Sequence, residues 1–188
     1  MAPKQQHIAR ARVCDLFLDT PECNAHTTAA DVLWSSTPLL TLPRYEYKMC
    51  SRMAASILKG ALPKGEEGER AASELIARDD QEYEEFAIRL ASSLQYRLVN
   101  PALNRMNQPV VVNGGWNNGG VTEQHQQAQA LMPYGEGVGR LAELRKLLWK
   151  SKWTCALFDT RRWVRDLEDA YEEAWRRWVE GEGGDIFL

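Results

Sequence analysis

The chain has 188 residues, of which 44% are hydrophobic and 26% charged, with 23 Lys and Arg against 26 Asp and Glu. This is the balance of one soluble globular domain, and a net charge of -3 excludes both a chain-wide basic field for nucleic acid and an acidic solvating tail. No apolar run approaches the roughly 20 residues of a membrane span, so no membrane partner is expected, and the N-terminus lacks an apolar signal core. The four cysteines, at 14, 23, 50 and 155, have no C-x-x-C spacing and share the chain with only three histidines. Neither a zinc site nor a disulfide framework is expected, which fits reduced thiols in the cytoplasm or nucleus. Cys14 and Cys23 read as buried small hydrophobes.

In chain order, Lys4 to Val13 is a short polar helix. Leu16-Phe17-Leu18 is a short strand that must end by Pro21, which cannot donate to a ladder. His26 to Trp34 reads as a helix with a polar start and an apolar body. Pro38 breaks it, and Leu39-Leu40-Thr41-Leu42 is a second strand stopped by Pro43. Lys48 to Leu58 is a further helix. Strand, helix, strand, helix at this spacing predicts βαβ units and a parallel sheet. Ser73 to Ala77 reads as one more strand. Asp79 with Glu82 three residues on resembles a capping box. Tyr83, Phe86, Ala87, Leu90, Ala91 and Leu94 then follow helical spacing and predict a core-facing stripe.

Composition changes at Asn100. Residues 113 to 139 hold seven of the 13 glycines, and glutamine recurs at 124, 126, 127 and 129. With no periodicity, residues 100–137 read as a flexible insertion, His125 being solvated within it. Residues 1–99 and 138–188 then form one lobe. Leu141, Leu144, Leu147 and Leu148 predict a helix opposite Arg and Lys. After Asp159-Thr160, a last helix places Trp163, Val164, Leu167, Ala170, Tyr171, Ala174, Trp175 and Trp178 on one face, which predicts core. Gly181, Gly183 and Gly184 end it.

One region reads as a site from the residues alone, Asp19 to Asp31. A strand ends, a turn of small residues follows, and a helix begins with His26, Thr27 and Thr28. Free N–H groups at a helix start suit an anion, and Asp31, one turn in, suits a ribose hydroxyl. The alternative is that Thr27 only caps the helix and His26 is a surface residue. Lys4, His7 and Arg10, three apart, share a helix face that suits a nucleotide or is simply solvated. Glu66, Glu67, Glu69, Glu84 and Glu85 read as solvated charge. No glycine-rich phosphate loop and no nucleophile-elbow motif is present.

These same residues resemble the O-GlcNAc transferase family, nucleocytoplasmic enzymes that move N-acetylglucosamine from UDP-GlcNAc to Ser and Thr of proteins. The resemblance is carried by Ala2-Pro3-Lys4 through His7 and Arg10. It continues through Leu18-Asp19-Thr20-Pro21-Glu22-Cys23-Asn24-Ala25-His26-Thr27-Thr28-Ala29-Ala30-Asp31-Val32-Leu33-Trp34. It runs on through Ser36 to Pro43, Ser51 to Ser56, Glu74 to Ala77, Gln81 to Glu84, and Leu157 to Glu168 with Tyr171 and Trp175. Plant and algal members are the most similar in kind.

The resemblance implies an α/β fold, a partial Rossmann-like C-terminal lobe of a GT-B glycosyltransferase with a closing C-terminal helix. It implies that the Ala2 backbone, His7 and Arg10 face uracil, that Lys4 and Asp31 hold the ribose, and that His26, Thr27 and Thr28 meet the diphosphate. It implies inverting transfer with no metal and no cofactor beyond the donor UDP-GlcNAc, and protein Ser/Thr acceptors. The family also carries tetratricopeptide repeats, a first lobe, and a lysine and a glutamine earlier in the second lobe; none is in this chain. The chain is therefore expected to be the C-terminal part of a catalytic region, with an incomplete sheet, no catalytic residue of its own and no activity in isolation. The alternative is a non-catalytic UDP-binding or protein-interaction remnant.

Overall fold

A computed structural model describes residues 3–99 and 134–184. Ala2, His125 and residues 100–133 lie outside the described residues. Helix α1 (Lys4–Ala11) leads into strand β1 (Phe17–Leu18), helix α2 (Thr27–Trp34) and strand β2 (Leu39–Leu40). β1 and β2 pair in parallel, Phe17 opposite Leu39 and Leu18 opposite Leu40. α2 is thus the crossover of a βαβ unit, as the spacing of the elements predicts. Lys48 to Leu58 divides into a 3₁₀ turn (Met49–Ser51) and helix α3 (Met53–Ala61).

The expected strand at Ser73 to Ala77 is a correction. Helix α4 (Glu66–Leu75) occupies most of that stretch, and only Ile76 bridges to the sheet, parallel to Thr41. The Thr41 N–H donates to the Leu75 carbonyl at 3.0 Å and the Ala77 N–H to the Thr41 carbonyl at 2.9 Å. Three acidic residues in the first turn of α4, Glu66, Glu67 and Glu69, complement the helix dipole, which favours helix over strand here.

Helix α5 (Asp80–Ser93) has Asp79 as its N-cap, accepting from the Glu82 N–H at 2.8 Å. Glu82 reaches back to the Arg78 N–H at 2.9 Å rather than to that of the cap residue. Its stripe is only partly core. Leu90 is buried, Tyr83, Phe86, Ala87 and Leu94 are half-buried, and Ala91 is exposed. β3 (Gln95–Val99) pairs antiparallel with β4 (Tyr134–Val138), Gln95 opposite Val138 and Val99 opposite Tyr134. Tyr134 to Gly137, read as the end of an insertion, are therefore strand. Gly135 and Gly137 hid this because they remove the apolar alternation of a strand.

Helix α6 (Arg140–Ser151) begins at Gly139, whose φ of 97° and ψ of 177° is open essentially to glycine alone. With no side chain at the cap, Ser93 serves instead. Its hydroxyl accepts the Leu141 N–H at 3.1 Å and donates to the Leu90 carbonyl at 2.7 Å. The core then closes from five helices and β2. Leu33 of α2, Leu39, Leu58 of α3, Leu75 of α4, Leu90 of α5 and Leu144 of α6 are each 0–1% exposed.

A 3₁₀ turn (Ala156–Phe158) leads to helix α7 (Thr160–Glu180), which has no buried residue. This corrects the expectation of a core-facing aromatic stripe. The stripe exists, but Trp163, Tyr171, Trp175 and Trp178 are 60%, 67%, 68% and 78% exposed. None of its side chains is buried, and only Leu167 and Ala170 of the stripe are half-buried.

Lys152, at the end of α6, is only 3% exposed. Its Nζ stands 3.5 Å from the Trp149 ring centroid, 4.8 Å from that of Trp153 and 5.2 Å from that of Trp34, and donates to the Trp34 carbonyl at 3.4 Å. Three indole faces compensate for the lost hydration of the charge. Burial, and secondarily Arg12, push the ammonium pKa below its usual 10.5. The unfolded chain then holds this proton to higher pH than the folded protein does. Stability from this residue therefore rises with pH in the interval below 10.5. The urea midpoint of the wild type is expected to gain on that of Lys152→Met as pH climbs through that interval. A constant difference between the two proteins counts against this origin.

Candidate functional site

The turn between β1 and α2 is fixed from inside. Asp19, 3% exposed, accepts the Ala25 N–H at 2.7 Å through one carboxylate oxygen and the Thr41 hydroxyl at 2.8 Å through the other. The Asp19 carbonyl accepts the Tyr83 hydroxyl at 2.7 Å. Asn24, 4% exposed, donates from its amide to the Thr20 carbonyl at 3.0 Å and from its backbone N–H to the Cys50 carbonyl at 2.7 Å. The Thr20 hydroxyl donates to the Cys23 carbonyl at 2.6 Å. The β1 end, the sheet and α5 thus hold one loop in one path. These positioning residues lie within the resembling segments, but the sequence marks no role for them; a lone Asp between Leu and Thr signals nothing without Thr41 and Ala25 beside it.

That path delivers an open helix start. His26 is the N-cap of α2, and no side chain caps the helix. Thr27 and Thr28 are exposed and Asp31, one turn on, is half-exposed. The reading of Thr27 as a mere cap therefore fails, and the first-turn N–H groups have no capping side chain among the described residues. His26 Nε2 is buried and has no hydrogen-bond partner among the described residues, an unusual condition for a buried polar atom.

α1 is brought against α2 by two hydroxyls. Ser35 donates to the Ile8 carbonyl at 2.7 Å and Thr37 to the Ala11 carbonyl at 2.8 Å. This sets His7 Nε2 3.4 Å from the Asp31 carboxylate. Lys4, His7 and Arg10 are all exposed on α1. Of the eight residues read from the sequence as a site, the structure thus joins His7 of α1 to Asp31 of α2. It places His26, Thr27 and Thr28 at the α2 start, with Lys4 and Arg10 on exposed α1 and Ala2 outside the described residues.

Cys14 and Cys23 are exposed, not buried as expected. Cys14 follows the last turn of α1 and Cys23 sits on the surface turn that presents α2, so neither has an apolar layer to enter. Cys155 alone of the four is buried. No group of three or more His, Cys, Asp or Glu side chains among the described residues is placed to hold a metal ion. No helix among them is long and apolar enough to cross a membrane.

The model of glycosyl transferase family 41 matches residues 1–106. The chain is 33% identical over 183 residues to a probable UDP-N-acetylglucosamine–peptide N-acetylglucosaminyltransferase of Arabidopsis thaliana, covering 97% of this chain and 13% of that one. It is 27% identical over 181 residues to the UDP-N-acetylglucosamine–peptide N-acetylglucosaminyltransferase of Caenorhabditis elegans, covering 96% of this chain and 11% of that one. A solved structure of a mutant O-GlcNAc transferase of Thermobaculum terrenum matches 93% of this chain and 23% of its own, at 22% identity and a TM-score of 0.56. The shared fold is part of the α/β lobe of a GT-B glycosyltransferase. The chain spans little more than a tenth of the length of these two curated relatives.

Proposed function

Because this chain belongs to glycosyl transferase family 41, we propose that it is the nucleotide-holding C-terminal part of a protein O-GlcNAc transferase. The donor is UDP-GlcNAc and the acceptors are protein Ser and Thr, in the cytoplasm or nucleus. The observation that carries this reading is the uncapped α2 start beside the His7–Asp31 contact. An anion at Thr27 and Thr28 meets uncapped N–H groups and the positive end of the helix dipole. It also offers the orphaned His26 Nε2 a partner. Asp31 and Lys4 flank the ribose, and His7, Arg10 and the Ala2 backbone flank the base.

In the reaction, the acceptor hydroxyl oxygen bonds to the anomeric carbon with inversion as the bond to the diphosphate oxygen breaks. Negative charge grows on the departing UDP, where the α2 N–H groups and the Thr28 hydroxyl stabilise it. The group that takes the acceptor proton lies outside this chain, and no metal takes part. This chain alone is therefore expected to bind UDP without turnover on an acceptor peptide.

Titration calorimetry tests the site. Thr28→Ala and Asp31→Ala are each expected to weaken UDP about 5- to 10-fold, the usual worth of one such hydrogen bond. Wild-type protein with no measurable heat of UDP binding, or variants that bind as well, overturns the assignment. The uncovered aromatic face of α7 favours a second reading, a UDP-binding interaction remnant. That reading predicts no turnover even when the remainder of a relative's catalytic region is supplied.

A further inference from the structure

A cavity of about 320 Å³ lies where the end of α1, the turn after α2 and α6 meet. Arg12, Ser36, Arg145, Lys146, Trp149 and Lys150 line it, and no carboxylate among the described residues does. None of these residues belongs to the nucleotide surface proposed above.

Four cations share this one wall of a chain whose net charge is -3. Arg145 is engaged, donating to the carbonyls of Arg12 and Cys14. Lys146 has Glu136 at 3.5 Å. Among the described residues no carboxylate pairs with Arg12 or Lys150. The Arg12 guanidinium instead lies 5.6 Å from the Trp149 ring centroid. Trp149 is 47% exposed, and its ring already has the buried Lys152 ammonium 3.5 Å from its centroid. Ser36 is 2% exposed, and its hydroxyl is buried without a partner among the described residues.

These features ask for one kind of occupant. Unpaired guanidinium and ammonium heads call for an anion, and the planar fork of Arg suits phosphate oxygens. The stems of Lys and Arg and the indole give carbon walls, so the body of the ligand is apolar and flat enough to lie on Trp149. A buried hydroxyl with no partner offers one more hydrogen bond. We propose that this cavity binds a small soluble aryl phosphate, its ring against Trp149 and its phosphate among Arg12, Lys150 and the Ser36 hydroxyl.

Phenyl phosphate is the probe, titrated at fixed ionic strength while the Trp149 indole N–H is followed by NMR, its signal assigned with Trp149→Phe. The expected result is a saturable shift, with inorganic phosphate binding more weakly. Arg12→Gln with Lys150→Gln is expected to weaken phenyl phosphate about 10-fold or more, as loss of charge-assisted bonds does. Both side chains are exposed, so the fold survives the change. Ser36→Gly removes the hydroxyl at a residue whose φ is 63°, where glycine is comfortable, and is expected to weaken binding severalfold in a protein at least as stable. Thr28→Ala with Asp31→Ala is expected to leave the titration unchanged. Any of four results overturns the proposal: no saturable shift at Trp149, the same shift with chloride at equal ionic strength, inorganic phosphate binding as tightly, or an unaltered affinity in the Arg12, Lys150 double variant. A titration abolished by the Thr28, Asp31 double variant also overturns it, because the probe then sits at the nucleotide surface.

Discussion

Asp19→Ala is expected to lower the unfolding free energy by about 3 kcal/mol or more, read from urea denaturation. The magnitude follows from what is left behind. The Ala25 N–H and the Thr41 hydroxyl, bonded at 2.7 and 2.8 Å to a carboxylate 3% exposed, would be buried without acceptors. Each orphan costs about 1–3 kcal/mol. Asp19→Asn keeps one acceptor oxygen, and the Thr41 hydroxyl can rotate to accept from the new amide, so its loss is expected to be about 1 kcal/mol. The loop held by Asp19 runs directly into His26 and the α2 start. The folded Asp19→Ala protein should therefore also bind UDP more weakly although Asp19 is not among the proposed UDP contacts. A loss in stability below about 1 kcal/mol for the alanine variant, together with unchanged UDP affinity, would show that the network does not hold the loop.

The second large effect belongs to Gly139. A Cβ added there would lie 1.8 Å from the Ser93 carbonyl oxygen, far inside any real contact. The neighbour cannot yield cheaply, because it is backbone at the join between α5 and β3, and the same Ser93 supplies the hydroxyl that caps α6. The backbone at φ 97° and ψ 177° adds about 1–3 kcal/mol of strain for any L side chain. Gly139→Ala is expected to cost about 3 kcal/mol or more and to loosen the β3–β4 pair, visible as a lower thermal midpoint and faster amide exchange across Gln95–Val99. Gly135→Ala, whose added Cβ would meet only the Tyr96 ring at 3.6 Å, is the control, expected to stay within about 1 kcal/mol of wild type.

Much of this was legible in the sequence, for stateable reasons. Pro21 follows β1 and Pro43 follows β2, and between the two strands Thr27 to Trp34 carries helical spacing, so the βαβ unit and the turn that presents α2 were visible. α4 was not. Its buried positions are Gly68, Ala71 and Leu75, a stripe too small to outweigh the apolar Leu75-Ile76-Ala77 that follows. β4 was not, because its pairing with β3 across more than thirty residues leaves no local trace. The aromatic face of α7 was legible as a face, but periodicity reports amphipathicity and not what covers it. The candidate site divides in the same way. Thr27, Thr28 and Asp31 could be read from a helix start, whereas Asp19, Asn24 and Tyr83 act through partners up to 64 residues away.

α7 has one more consequence. It is 21 residues long, so it extends for about 32 Å with no side chain in the core. What holds it helical is local. Asp159 caps its first turn, Gly181 closes its last in a left-handed conformation, and Arg176 and Arg177 grip Glu173, whose carboxyl they draw down to about 2. Pairs of that kind are weak singly and screened by salt, and a helix without tertiary packing frays on its own account. Melting of this chain is therefore not one event. Added salt loosens α7 while the Leu33–Leu58–Leu144 core stands, the far-ultraviolet signal and a probe of the half-buried Trp34 report different midpoints, and a single unfolding free energy describes only the part of the molecule that ends at Phe158.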